Sequence, residues 1–364
     1  MTQSAILGVL GTHWERTRPR GVDTYLESIK RSGFSGRKIM LCYDIHPETR
    51  QALVKYGHEL VDVPVPSEAF FHARVRIVYE YLKEHHKEFG WIHWLDVKDL
   101  LLQSNPDIWL LHNAAHHSLI GSSESVPICK EETNWLWANE ILGAARAAEI
   151  ADFSVFNGGA FSGKAELMAE FFYQVHLLCR AYTGQYPPCQ LSMAYVANTI
   201  FKNDFYQPKL SEGYAVCPHP LWSPWRMPCW PHMRDPHPVL DINTCNLHAG
   251  TIPNPENSCL VFNPIWGNNP LVHIADRKIQ IETPSHPLKG VELVDKPTGK
   301  IFSILHGFDR DWDMKSLYEF KYSAAVGDVT LEDFLKFNED AAKSFAEIKR
   351  ALRRPEGRWT GRKR

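Results

Sequence analysis

The first hundred residues alternate between two hydrophobic patterns, and this alternation restricts the fold more than any other feature of the sequence. Four short apolar runs have the length of buried strands: 5–14, 37–44, 58–65 and 91–96. Three intervening segments space their apolar residues as helices do: 21–33, 47–57 and 68–90. Strands that alternate with helices predict an α/β fold with a mostly parallel sheet and helices on both faces.

The pattern changes in the second half of the chain. A short strand at 153–156 and an apolar helix at 165–182 continue it, and a late strand with its exit loop is expected at 300–313. Residues 216–238 are crowded with Pro, Trp and His, and Pro at that density excludes regular strands and helices. We expect an ordered loop there, lying on the core, and an amphipathic helix at 331–354.

Composition excludes several classes of protein. The 364 residues carry a net charge of about −2, which gives no general attraction to nucleic acid or anionic lipid. Eight cysteines include no CxxC pair, which argues against structural zinc, and disulfides among the last four are left open. Since the chain shows neither a signal peptide nor an apolar stretch of roughly 20 residues, we expect a cytoplasmic protein without a transmembrane segment. A lumenal chain trimmed of an anchor would look the same. The oligomeric state is not predicted.

Two carboxylates follow the fourth predicted strand. Asp96 and Asp99 flank Lys98, and a run of leucines begins at once after them. In parallel sheets, ligands bind at the carboxyl ends of the strands, so this segment and the loop from Gly11 onward should face one crevice. A pair of carboxylates suits Mg²⁺ or Mn²⁺, which prefer oxygen ligands. The alternative is a surface turn in which Lys98 pairs with one aspartate.

Four short stretches carry a resemblance to a known family. They are "WLDVKDLLLQSNP" (94–106), "FNGGAFSGKAELM" (156–168), "LHAGTIPNP" (247–255) and "ILHGFDR" (304–310). In this order they resemble a group of GT-A-type glycosyltransferases, in which an Asp-Val-Arg-Asp segment does the work of the Asp-x-Asp motif of nucleotide-sugar enzymes. The resemblance implies a GT-A, Rossmann-like fold with an irregular Pro/Trp-rich C-terminal lobe.

The resemblance also implies a domain organisation. We expect one catalytic domain over residues 1–330, with a nucleotide-binding half at 1–110 and an acceptor half at 111–330. A C-terminal helix and a basic tail would follow at 331–364. The sequence departs from the family at several positions: Lys98 for Arg, Leu102 for Phe, Gly307 and Phe308 for Gln and Tyr, and Cys189 for an Asp that often faces the acceptor. The last change leaves the acceptor contact open.

A metal and nucleotide site follows from the same resemblance. Asp99 would ligate Mn²⁺ or Mg²⁺ directly, Asp96 would bind through water or touch the ribose, and His306 would add a ligand, with His248 as the competing candidate. Further residues would contact the nucleotide sugar: Gly11, Thr12, His13, Arg74 or Arg76, Asp96 and Lys98. For each arginine alone, a solvated helix face is the alternative.

The transferred sugar and the acceptor would meet a further set of residues. Asn157, Gly158 and Gly159 would lie under the sugar, with a tight turn between strand and helix as their alternative role. Asn157 and Asp309 are the candidate catalytic residues, and Asp309 is alternatively half of an ion pair with Arg310. The tryptophans of the Pro-rich loop could line the acceptor cleft or only fill space: Trp222, Trp225 and Trp230.

The sequence leaves three classes of function open. The main prediction is a metal-dependent glycosyltransferase that moves a sugar from a nucleotide sugar to a glycan or another hydroxyl acceptor. A metal-dependent phosphohydrolase or nucleotidyltransferase would use the same acidic strand end, but it would need a second carboxylate cluster. The third class is a non-catalytic carbohydrate-binding or scaffold protein on the same fold.

Overall fold

The computed structural model describes the first two thirds of the chain almost continuously and a few short segments beyond. The described ranges are 3–11, 20–97, 99–114, 116–184, 186–209, 212–216, 272–274, 293–295, 301–306 and residue 322. Several predicted features lie outside them: Thr12, His13, Lys98, His248, Asp309, Arg310, the three loop tryptophans, nearly all of the 216–238 loop and the 331–354 helix. These features remain predictions.

Helices and strands alternate through the first hundred residues, as predicted. The helices are α1 (Arg20–Arg31), α2 (Pro47–Lys55), α3 (Phe70–His85), α4 (Pro106–Asn113), α5 (Glu132–Leu142), α6 (Ala144–Glu149), α7 (Ala165–Ala181) and α8 (Cys189–Thr199). The strands are β1 (Ala5–Leu10), β2 (Arg37–Cys42), β3 (Glu59–Asp62), β4 (Trp91–Leu95), β5 (Leu100–Leu102), β6 (Leu119–Pro127), β7 (Ser154–Lys164), β8 (Phe205–Tyr206), β9 (Ala215–Val216), β10 (Val272–Ile274), β11 (Leu293–Asp295) and β12 (Ile304–His306). No described helix is both long and apolar enough to cross a membrane.

One mixed sheet of ten strands organises the molecule. Its order is β3-β2-β1-β4-β7-β6-β9-β12-β5, with β8 paired to β6. Strands β3, β2, β1 and β4 are parallel to one another, whereas β7 runs antiparallel to both of its neighbours and β5 runs antiparallel to β12. The prediction of a mixed, mostly parallel sheet is therefore confirmed. Strands β10 and β11 form a separate antiparallel pair.

The sheet buries a hydrophobic core on each face. Along β1, Ala5, Leu7 and Val9 join one core, while Ile6 and Leu10 join the other. Helices α3, α7 and α8 pack on the first face, and α1, α2 and α4 pack on the second. This period of two is expected for a strand covered on both sides, and the predicted helices on both faces are confirmed.

Strand β7 differs from its prediction. The sequence predicts a strand of four residues at 153–156, with a tight turn as the alternative role of Asn157–Gly159. The strand instead continues to Lys164, since β4 and β6 pair with it on either side. The strand contains a bulge, at which its register with β6 shifts. The adjacent residues Gly121 and Ser122 of β6 pair with Phe161 and Asn157, which are four residues apart on β7.

Candidate metal centre and its cleft

The two aspartates lie at the carboxyl end of β4. The backbone N–H of Asp96 donates to the carbonyl oxygen of Gly159 at 2.7 Å, which continues the pairing of β4 with β7 by one residue. Asp99 comes directly before β5, the strand formed by the following leucines. The chain therefore turns between two buried strands, and both carboxylates lie at the point of the turn.

His306 reaches the aspartates through a strand pairing that spans the sequence. Strand β12 runs antiparallel to β5, with His306 opposite Leu100. Its Nε2 atom lies 3.4 Å from Asp99 Oδ1 and 3.7 Å from Asp96 Oδ2. The imidazole side chain is 6% exposed and each carboxylate is 26% exposed. The imidazole thus forms the base of the group, and the carboxylates open toward solvent.

The bulge in β7 leaves room for this group. A Cβ atom added to Gly159 would lie 2.4 Å from His306 Nε2 and 2.6 Å from Asp96 Oδ2, so only glycine fits there without displacement. The N–H of Gly159 donates to Asn157 Oδ1 at 3.0 Å. The buried Asn157 side chain therefore holds the bulge in shape from behind the cluster.

Arg74, on the first turns of α3, holds Asp96 from the opposite side. Its Nη1 atom donates to both oxygens of Asp96, at 3.0 and 3.3 Å, and its Nη2 atom donates to Cys189 Sγ at 3.1 Å. Burial on its own would lower the pKa of Arg74, but the Asp96 carboxylate and the Cys189 sulfur raise it above its ordinary value. The guanidinium also lies 5.3 Å from the ring centre of Phe71, within cation–π distance.

The cluster opens into a cleft of about 230 Å³. Its walls include Val9 and Leu10 at the end of β1, together with Asp96 and Val97 after β4. Strands β1 and β4 are neighbours, while β2 and β3 extend the sheet on the other side of β1. The cleft therefore lies where the strand order reverses, which is the usual ligand site of an open α/β sheet.

Other predicted residues lie elsewhere. Gly11 packs against the ring of Tyr43, and Gly158 packs against α8; neither lines the cleft. Arg76 points away from it and pairs with Glu68 and Glu80.

Several cleft residues were not identified from the sequence. Phe70, Phe71, Trp137 and Pro187 form an apolar wall, and Gln190 adds an amide. The positions of the four apolar residues along the chain give no motif signal. Gln190 differs, because the resemblance aligns Cys189 and Gln190 with an Asp-Gln pair that often faces the acceptor in the family.

A second group contains the residue types of a nucleophilic triad, but its serine and histidine are fully buried. Ser162 Oγ lies 2.7 Å from His93 Nδ1, and His93 Nε2 lies 2.9 Å from Asp107 Oδ1. Ser162 and His93 are 0% exposed, and Ser162 also bonds to the hydroxyl of Tyr214. Since none of the three lines the cleft, we interpret the group as a network that ties β4, β7 and α4 together.

Comparison of the chain with models of protein families and with curated proteins gives no match. The chemistry of the site is therefore derived from its own residues.

The cluster has the donor set and charge of a divalent cation site. One ligand atom each from Asp96, Asp99 and His306 lie within 4.8 Å of one another. Two carboxylates and the Arg74 guanidinium leave a net charge of about −1, so a divalent ion would make the group cationic. A cationic group at the base of a cleft attracts an anionic ligand, and metal-bound phosphates are the common case.

Proposed function

We propose that the protein is a metal-dependent glycosyltransferase of the GT-A type, which transfers a sugar from a nucleotide sugar to a hydroxyl acceptor. The observation that carries the proposal is the convergence of Asp96, Asp99 and His306 at the end of β4, in a cleft where the strand order reverses. The sequence resemblance supports the same group: it implies Asp99 as a direct ligand, Asp96 as a ligand through water or a ribose contact, and His306, in competition with His248, as a further ligand.

Each residue would have a separate role in binding. Asp99 and His306 would ligate Mn²⁺ or Mg²⁺, and Asp96, held by Arg74, would ligate it directly or through water. When bound, the ion would neutralise the charge that develops on the leaving diphosphate. The Gly159 backbone lies against the ligands and would lie under the transferred sugar, where a side chain would block approach.

The experiment is thermal unfolding with a panel of nucleoside diphosphates and nucleotide sugars, with and without Mn²⁺. A ligand that binds only the native state stabilises it, by about 2.7 kcal/mol at a hundredfold excess over Kd. We expect one nucleotide to raise the midpoint only when Mn²⁺ is present. The rise should disappear in Asp99→Asn and persist in Asp62→Asn, a surface aspartate paired with Arg50.

Turnover assays separate the three classes of function. A glycosyltransferase releases nucleoside diphosphate from the nucleotide sugar faster when an acceptor mixture is added. A phosphohydrolase releases inorganic phosphate from the nucleotide itself. Stabilisation without either product would support a binding protein, and no stabilisation by any nucleotide in the folded protein would contradict the proposed diphosphate site.

A further inference from the structure

A chain of hydrogen bonds runs from the start of α5 into the cleft. Glu131 Oε2 accepts from the backbone N–H and from the side-chain Nδ2 of Asn134, both at 2.6 Å. Asn134 Oδ1 accepts from Gln190 Nε2 at 3.1 Å. Glu131 and Asn134 are 2% and 7% exposed, whereas Gln190 lines the cleft beside Cys189.

The direction of donation is fixed along this chain of hydrogen bonds. A carboxylate accepts hydrogen bonds but does not donate them, so the NH₂ group of Asn134 must face Glu131 and its oxygen must face Gln190. The same constraint turns the NH₂ group of Gln190 toward Asn134. The Gln190 Oε1 atom is then left for a ligand, and no described residue donates to it. At this position the cleft offers an acceptor to a hydroxyl or amine donor.

An aromatic surface lies beside this amide. Trp137 is three residues after Asn134 on α5, hence on the same helix face, and it lines the cleft together with Pro187. The ring of Trp137 lies 5.9 Å from that of Tyr186, at 32°. A flat apolar surface next to a fixed hydrogen-bond acceptor matches a ring with apolar C–H faces and hydroxyls at its edge.

The amide is close to the metal cluster. A Cβ atom on Gly158 would lie 3.4 Å from Gln190 Cα, and one on the adjacent Gly159 would lie 2.4 Å from His306 Nε2. Cys189, the neighbour of Gln190, also bonds to the arginine that holds Asp96. Gln190 also lines the same cleft as Asp96, Asp99 and His306, so a ligand that touches Gln190 would share this cleft with whatever the cluster binds.

We propose that Trp137 and Gln190 form a subsite for a pyranose ring, and that Glu131 and Asn134 are positioning residues that fix the Gln190 oxygen toward one of its hydroxyls. The inference rests on the proposed function, since a sugar bound here would be the second substrate of the transfer. On this proposal the acceptor substrate of the transfer is a carbohydrate.

The test uses saturation-transfer NMR with the full chain and a panel of methyl hexo- and pentopyranosides. Mg²⁺ and a nucleoside diphosphate are present, and glycerol serves as the control for non-specific polyol binding. We expect at least one pyranoside to bind through one face of its ring. Binding should be lost in Trp137→Ala and retained in Leu136→Ala, since Leu136 is on the same helix but 46% exposed.

A double-mutant cycle tests the positioning role. Asn134→Ala keeps the backbone N–H that Glu131 caps but lets the Gln190 amide turn over, so affinity for the pyranoside should fall about threefold to tenfold. In Gln190→Met, the side chain has no oxygen for Asn134 to orient, so adding Asn134→Ala should cost no further affinity. An equal loss in both backgrounds would mean that Asn134 acts only on stability, and would overturn the positioning role.

The two proposals can fail separately. If the nucleotide and metal stabilise the chain while every pyranoside binds no better than glycerol, or binds equally well to Trp137→Ala, the pyranose subsite is wrong and the proposed function stands. If no nucleotide stabilises the protein, the proposed function is wrong, and the subsite as second-substrate site is wrong with it.

Discussion

At the scale of single residues, Arg74 decides whether the acidic group is compatible with folding. Isolated carboxylates near a buried strand lose hydration, and a paired cation recovers part of that free energy. Arg74 makes bonds to Asp96 and to Cys189 at once, which needs the planar fork of a guanidinium. Arg76, two residues later, makes only surface ion pairs.

We expect Arg74→Lys to lower the free energy of unfolding by about 1–3 kcal/mol, because a lysine cannot reach both partners of a buried pair. Mn²⁺ affinity should fall as well, since Asp96 loses its orientation. Arg76→Lys is the matched control and should change stability by less than about 0.5 kcal/mol. Urea unfolding and calorimetric Mn²⁺ titration measure the two effects. Equal stability of the two variants would contradict the role given to Arg74.

At the scale of elements, the bulge of β7 and the pairing of β5 with β12 build the site. The bulge places Gly159, which has no side chain, against His306 and Asp96. The pairing of β5 with β12 places His306 opposite Leu100, the residue after Asp99.

Adjacent glycines in the bulge provide a paired test. Gly159→Ala would place a methyl group 2.4 Å from His306 Nε2, so Mn²⁺ binding should fall by at least tenfold. Gly158→Ala would make only ordinary contacts at 3.4 Å and should leave Mn²⁺ binding unchanged. Calorimetry on both variants, with circular dichroism to verify folding, makes the measurement. A Gly159→Ala protein that binds Mn²⁺ like the wild type would show that the cluster is not the binding site.

The sequence predicted the alternating elements of the first hundred residues but gave no prediction for the elements between 106 and 149. Strand β5 is only three residues long and lies directly after two aspartates, so it gives no periodic signal. Strand β7 was predicted to end at residue 156, whereas pairing with β4 and β6 on both sides keeps the chain extended to Lys164. The three residues of the candidate metal cluster were predicted from motifs. The contact of Arg74 with Cys189 depends on long-range packing, which one sequence does not reveal.

At the scale of the whole molecule, a buried histidine couples stability to pH. His58, 5% exposed, lies just before β3. Burial, and then the positive charge of Lys38, lower its pKa to about 3. In the unfolded chain the pKa of histidine is about 6.5, so below that pH the unfolded state binds one more proton than the folded state.

The full contribution of the neutral His58 to the free energy of unfolding is therefore present above about pH 6.5, and it is lost as the pH falls toward about 3. The slope from this group approaches about 1.4 kcal/mol per pH unit. Urea unfolding at several pH values in this range should show that the free energy of unfolding changes less steeply with pH in His58→Phe than in the wild type. The exposed His116→Gln is the control and should leave the slope unchanged. Identical slopes in all three proteins would exclude His58 as the titrating group.

The central claim is that Asp96, Asp99 and His306 bind a divalent ion that in turn holds a diphosphate. Electron paramagnetic resonance of Mn²⁺ titrated into the full chain tests it most directly, because bound and free ion are counted separately. The account predicts one tight site per chain, weakened at least tenfold in Asp99→Asn and in His306→Ala, and tightened by a nucleoside diphosphate. Binding of equal strength in the wild type and both variants, or no tight site in the folded wild type, would contradict it.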